Sequence, residues 1–307
     1  MNEDNFLKLL NGNAPPVTVN TVSGRILHCD ADFLAYQSGH AWESETPEES
    51  ISDLKIRIED LRNLALAEVI VLHLTLGTKG GRHEIARVKE YQGHRKKDDG
   101  LRARVTLLRQ YMAKMFTSET IPHAQYDQEA DDSLCQAMWD YKVNPAGTPP
   151  VLWSIDKDLK MVGGLHLNND NGEIYQRPWG YGHTYLDRTK SAPKINGNGT
   201  SFFWHQLLQG DSVDGIPGLP KLPNGKPCGA VGVTNYLEMA TNDKEALDLV
   251  WDAYSAHYVD GFFFTAWDGE QESFKTAKDM LLEQARLLWM RRERGQDVLD
   301  FLGGVNA

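Results

Sequence analysis

Carboxylates recur along this chain at spacings that suggest shared work. "QGDSVDGIPG" (Gln209–Gly218) puts Asp211 and Asp214 three apart, on a turn whose Ile-Pro-Gly sequence stops any helix from continuing. "QEADDSL" carries Glu129, Asp131 and Asp132, with Glu129 and Asp132 on one face of the first turn of an expected helix. "SIDKDL" carries Asp156 and Asp158, and Asp30 follows "GRILHC", with Asp32 close by. Any one cluster alone reads more simply as acids complementing a helix dipole. All four brought to one place would repel strongly unless hard cations filled the gaps. Mg²⁺ takes carboxylate oxygens and keeps several waters, and two such ions about 4 Å apart can activate water and stabilise both attacking and leaving oxygens of a phosphodiester. Metal-assisted phosphoryl chemistry is the reading these residues favour.

The elements needed to gather the acids are visible in the pattern. "GRILHC", "EVIVLHLT" and "PVLWSI" are short apolar runs, and the first and last lead into Asp30 and Asp156. Helical patterns separate them, as in "EESISDLKIRIEDLRNLAL", where Ile51, Leu54, Ile58, Leu61 and Leu64 recur at helical spacing, and in "EADDSLCQAMWDYK". The expectation is an α/β fold with a mostly parallel central sheet and helices on both faces. Such sheets bind ligands beyond the carboxyl ends of their strands, where Asp30 and Asp156 fall. "LHLNNDNGEIYQR" predicts a hairpin turning at Asn169–Gly172. "KINGNG" reads as a loop, and "TSFFWHQLL", "DKEALDLVWDAYSAHY" and "SFKTAKDMLLEQARLLWMRRERG" read as helices.

With 307 residues, 41% of them hydrophobic and 24% charged, the chain can bury a substantial core. Cys29, Cys135 and Cys228 are too scattered for a disulfide framework or a CxxC metal site, so a reducing cytoplasm is expected. The first residues lack a signal peptide's apolar core, and no run is long enough to span a membrane. The net charge of −11 argues against a nucleic-acid partner only if the acids are spread out, because bound cations reverse the local field of a metal site.

The motifs EADD, DKDL and GDxxDGIPG, in that order, closely resemble the flap endonuclease / 5′→3′ exonuclease family. With Asp30 and "YQGHRK", the resemblance runs from about Gly24 to about Ala240. Length and the Arg-rich tail look most like the phage replication 5′→3′ exonucleases, which would mean a host cytoplasm. The resemblance implies a 5′ nuclease, PIN-like core, a helical arch, and a helix–three-turn–helix DNA-binding element in a helical C-terminal region. It divides the chain into an extension (1–20), a nuclease core (21–195) with a basic arch (79–109), and a C-terminal region (196–307). It implies a first metal on Asp30, Glu129, Asp131 and Asp132, and a second on Asp156, Asp158, Asp211 and Asp214. Asp32 has no counterpart and reads as a cap or solvated acid. The implied cofactors are two Mg²⁺, replaceable by Mn²⁺, with K⁺ at the hairpin. The implied partner is DNA with a 5′ end, nick or flap, hydrolysed in replication or degradation.

The basic run from Lys79 to Arg109 would ordinarily be a solvated helix face. The resemblance makes Arg82, Lys89, Arg95, Lys96 and Lys97 phosphate contacts. Tyr91 either stacks on a terminal base or packs. Gly215, Gly218, Lys221, Gly229 and Gly232 would approach duplex backbone, although "LPNGKP" adds residues to the hairpin and disturbs the register past Leu219. Two family features are missing. Val69 to His83 contains no acid, and the family's lysine in "YKxxR" is Gln92. On a helix, Lys89 and Lys96 would share a face with Gln92, so one of them is expected to replace the lysine beside Arg95, the alternative being distal phosphate contacts. One rival reading is a haloacid dehalogenase-like phosphatase, whose DxD motif "HCDADF" imitates, although Leu34 stands where that family has Thr or Val. The other is a DNA-binding relative that has lost its chemistry.

Overall fold

The computed structural model describes residues 21–41, 46–93, 98–189, 192–269 and 272–306. The apolar runs form strands β1 (Ile26–Asp30), β2 (Val69–Thr75) and β4 (Val151–Trp153), joined by β3 (Thr120–Gln125) and β5 (Gly164–Leu167) into a parallel array. β6 (Ile174–Arg177) closes the edge antiparallel to β5, so the order is β3-β2-β1-β4-β5-β6. The β5–β6 turn is the expected hairpin, stapled by Gly172 N–H donating to the Asn168 carbonyl at 2.9 Å.

Alternation along the strands gives the sheet two unlike faces. Leu27, Cys29, Ile70, Leu72, Leu74, Val151 and Trp153 bury one face against α1 (Ala31–Ala41), α2 (Pro47–Leu64) and α4 (Asp99–Met112). α2 starts where it does because Thr46 and Glu49 form a capping box. The opposite face carries His28 and Asp30 on β1 and His73 on β2, and it lies under α5 (Ala130–Val143). His73 links to His28 at 2.9 Å and to Ser133 Oγ of α5 at 2.7 Å. Burial pushes His28 down to about 4, so these rings are neutral hydrogen-bonding spacers at neutral pH.

The second half builds a helical layer on the same side: α6 (Thr200–Gln209), α7 (Ala230–Leu237), α8 (Asp243–His257), α9 (Ala277–Leu288) and α10 (Val298–Asn306). Its core centres on Phe203, Trp204, Trp289 and Tyr254, all essentially buried. Here the structure departs from the sequence expectations. "KINGNG" is strand β8 (Lys194–Asn198), paired with β7 (His183–Asp187). Ser273 and Phe274 lie in β10 (Glu272–Lys275), antiparallel to β9 (Phe262–Thr265), because Thr276 caps α9 with a capping box to Asp279 and fixes the helix start after them. The arginines after Leu288 are not helical. Among the described residues, no helix is long and apolar enough to cross a membrane.

The expected arch spans 79–109, of which residues 94–97 lie outside the described residues. α3 (Arg82–Ile85) is a single turn, and residues 86–93 are irregular. α4 is a core helix, with Leu101, Val105, Leu108 and Met112 buried beside α1.

Candidate active site

Asp30 ends β1, at the carboxyl edge of the sheet. It accepts from the Phe33 N–H at 3.0 Å and from Ser154 Oγ at 2.7 Å. Ser154 in turn accepts from the Asp156 N–H at 2.9 Å, so β1 and the turn after β4 are locked together. Burial, reinforced by the charges of Asp32 and Asp156, pushes Asp30 up to about 7. Asp131 enters from the first turn of α5. Its poor hydration, then the charges of Asp156, Asp30 and Glu129, hold it well above the usual carboxylate range. These three acids, Asp30, Asp131 and Asp156, thus feel one another directly.

The second group is tighter. Asp158, Asp211 and Asp214 each offer a carboxylate oxygen within 4.8 Å of the others. Asp158 begins a 3₁₀ turn (Asp158–Met161); its N–H donates to Asp156 at 2.8 Å, and Gln206 of α6 donates to its Oδ1 at 2.6 Å. Burial, then the charges of Asp156, Asp211 and Asp214, raise its pKa well above the ordinary value. Asp211 and Asp214 lie on the loop between α6 and α7. Asp211 and Ile216 exchange backbone hydrogen bonds at 2.8 Å, which makes the turn, and Lys157 pairs with Asp211 at 2.6 Å. Carboxylates this close favour protonation or a cation among them.

Two expected ligands are engaged elsewhere. Arg82, expected at DNA, is fully buried and grips Asp132 with two bonds, at 2.8 and 3.0 Å. It also pairs with Glu129 at 2.7 Å and donates to the Leu287 and Trp289 carbonyls. Asp132 accepts a further bond from the Arg291 N–H at 3.1 Å. A buried guanidinium needs this complete set of acceptors, so Arg82 and Asp132 form a structural pair joining α3, α5 and the end of α9. Arg82 and Asp132 are thus engaged with each other, where the sequence expected a DNA contact and a metal ligand. Glu129, the N-cap of α5, is held by Arg82 and by the buried Tyr91 hydroxyl at 3.3 Å. Tyr91 packs rather than stacking on a base.

The glycines are corrected for a similar reason. Gly215 and Gly218 are buried with φ of +78° and +65°. A Cβ at Gly215 would lie 2.5 Å from the Glu90 carbonyl, and the Gly218 N–H donates to buried Gln284 at 2.7 Å. Protein backbone, not phosphate, is what approaches them. Gly232 likewise sits against the Pro227 carbonyl. Lys221 and Gly229 remain exposed on the α6–α7 hairpin. Lys89 is exposed but not helical, so it shares no helix face with Gln92; Arg95, Lys96 and Lys97 lie outside the described residues.

Asp32 accepts from the Thr75 N–H and pairs with Arg109 at 2.8 Å, so the DxD imitation supplies no second phosphatase carboxylate. Thr75 ends β2, where the resemblance expects an acid, and its hydroxyl accepts from the Ala130 N–H at 2.9 Å, docking α5 onto the sheet. Sequence reasoning missed Ser154, Gln206, Lys157 and the contacts of Gln92. Gln92 was at least marked by standing where a lysine was expected. It donates to Asp214 Oδ1 at 2.9 Å.

The sheet order, the acids at its carboxyl edge and the helical layer over them define an α/β fold with a mostly parallel six-stranded sheet. No family model and no curated protein matches the chain. Solved structures from bacteriophage T5 do match. The D15 protein co-crystallised with metal ions aligns with TM-score 0.55 at 15% identity, over 92% of this chain and 98% of that one. A variant of the D15 flap endonuclease in a pseudo-enzyme–product complex with DNA and metal ions gives 0.55 at 16% over the same shares. The T5 5′-exonuclease with zinc bound gives 0.52 at 16%, again over 92% and 98%. The likeness is one of fold, along nearly the whole length of both chains.

Proposed function

We propose that this chain is a divalent-metal-dependent 5′→3′ exonuclease or structure-specific 5′ nuclease that hydrolyses DNA phosphodiesters, RNA-primed ends being a further substrate of the same chemistry. The observation that carries the reading is the set of three carboxylates, Asp158, Asp211 and Asp214, converging within 4.8 Å at the ligand-binding edge of this fold. The neighbouring structures' metal and DNA complexes support it.

The donor set suits hard cations: every candidate ligand is a carboxylate oxygen, with no thiol or imidazole among them. Asp158, Asp211 and Asp214 would hold one Mg²⁺ and Asp30, Asp131 and Asp156 another, with Mn²⁺ able to substitute. Bound cations supply Lewis acidity towards a phosphoryl oxygen and lower the pKa of water. The chain's own residues do the rest. Ser154, the Phe33 N–H and Gln206 fix the carboxylate rotamers, and the crowded acids accept a proton as water adds to phosphorus. The P–O bond to the leaving nucleotide breaks, and its oxygen takes up a proton. Exposed Lys221 and Gly229, with Lys89, would meet duplex phosphates.

Duplex labelled at either 5′ or 3′ ends, with and without Mg²⁺, tests the reading. Release of mono- or short oligonucleotides from 5′ ends only with Mg²⁺ or Mn²⁺ is expected. Degradation from 3′ ends, or full activity in EDTA, would overturn it, and DNA binding without cleavage would establish the non-catalytic relative instead.

A further inference from the structure

Lys79 lies in the loop "LGTKGG" (76–81) after β2 and is half-buried. Its ammonium donates to Gln92 Oε1 and sits 5.9 Å from the Tyr91 ring centroid. The other end of the same amide donates to Asp214 Oδ1 at 2.9 Å, and the Gln92 N–H donates to the Asp214 carbonyl at 2.8 Å. Lysine, glutamine and aspartate therefore form one chain that ends on a carboxylate of the Asp158–Asp211–Asp214 group. With its oxygen towards an ammonium and its NH₂ towards a carboxylate, the amide satisfies both charged neighbours, and the reverse orientation would satisfy neither. Gln92 has φ of +58°, an uncommon conformation for a residue with a side chain. The two bonds to Asp214 hold it there.

Of the cations near these acids, Arg82 pairs with Asp132 and Glu129, Lys157 pairs with Asp211, and Lys160 donates to Asn196 Oδ1 at 2.8 Å. Lys79 is placed by the Gln92 amide, at the far end of the chain of bonds that leads to Asp214. We propose that Lys79, oriented by Gln92, is the ammonium that contacts the phosphate lying over Asp158, Asp211 and Asp214. This rests on the nuclease reading above. As water adds to phosphorus and the P–O bond to the leaving oxygen breaks, charge builds on the phosphoryl oxygens, and a fixed ammonium stabilises it. Lys79 stays protonated throughout. Gln92 is a positioning residue, so a lysine at position 92 could itself supply the charge.

The test uses the full chain with Mg²⁺ and 5′-flapped duplex, reading single-turnover cleavage at saturating DNA, DNA affinity and thermal melting. Lys79→Gln should cleave about a hundredfold more slowly, an effect on the cleavage step, not on affinity. Lys79→Arg should recover part of the loss. The double variant Lys79→Gln/Gln92→Lys should return to within about tenfold of wild type, because the charge is restored from the other end of the pair. A Lys79→Gln protein that cleaves at the wild-type rate overturns the proposal. So does a double variant that melts and binds DNA normally yet shows no recovery. If the wild-type protein cleaves no DNA under any of these conditions, the nuclease reading itself fails, which is a separate result.

Discussion

Asp158 is buried, bonded to Gln206 and within the tight carboxylate group. Asp158→Asn removes charge where cations would bind while keeping the shape, so cleavage should fall by two orders of magnitude or more at unchanged or tighter DNA binding. Gel assays of cleavage beside anisotropy measurements of binding check this, and normal cutting would make these acids structural. Asp30 yields a pH prediction. Its ordinary value of 3.8 is raised to about 7 in the folded chain, so folding favours its protonated form. The metal-free protein should accordingly lose stability as pH rises from about 4 to about 7, since the folded state binds more protons than the unfolded one over that window. Mg²⁺ should raise the melting temperature more at pH 8 than at pH 5. A metal-free protein that becomes more stable across this window would contradict the crowding of the acids.

Residues 82–93 form a strap held at several points along its length. Glu283 of α9 accepts from the N–H groups of Arg87 and Val88 at 2.9 and 3.0 Å, and Trp267 Nε1 donates to the Ala86 carbonyl at 2.6 Å. At one end Arg82 is buried against Asp132, and at the other Gln92 bonds Asp214. Arg82→Met should destabilise the fold by about 3–5 kcal/mol, because it leaves Asp132 and Glu129 buried without their partner. Urea unfolding measures this, and a variant of wild-type stability with weakened DNA binding would restore Arg82 to the DNA interface. The α6–α7 hairpin makes the opposite forecast. Lys221→Ala should leave stability unchanged and lower the log–log salt slope of DNA binding by about 0.9 if it meets one phosphate.

The whole molecule carries a net charge of −11, yet the proposed ligand is a polyanion. The acids that matter most are gathered at one sheet edge, so the cations they would hold decide whether DNA is repelled. Chelation should therefore weaken DNA binding at constant ionic strength, and Ca²⁺ should restore binding. Equal affinity in EDTA and Ca²⁺ would place the DNA surface away from the acids. Stability rests on the sheet. Leu72 is fully buried between β1 and β3, and Leu72→Ala should cost about 2–5 kcal/mol in chemical unfolding.

The parallel sheet, the β5–β6 hairpin and the convergence of Asp158, Asp211 and Asp214 were legible from residue order. They depend on local periodicity, turn chemistry and motif spacing, which a linear chain displays. "KINGNG" as a strand was not legible, because a glycine-rich stretch becomes a strand only when β7 pairs with it. Nor could the chain alone divide its acids into two kinds. Asp132 and Asp131 are neighbours in sequence, but the helix turns one towards Arg82 and the other towards Asp30 and Asp156. Basic residues have the same ambiguity: Arg82 reads as a nucleic-acid contact until carbonyls some 200 residues away, at Leu287 and Trp289, close around it. Local sequence set which groups are charged, and long-range packing decided which of those charges are spent on protein and which are left to face a ligand.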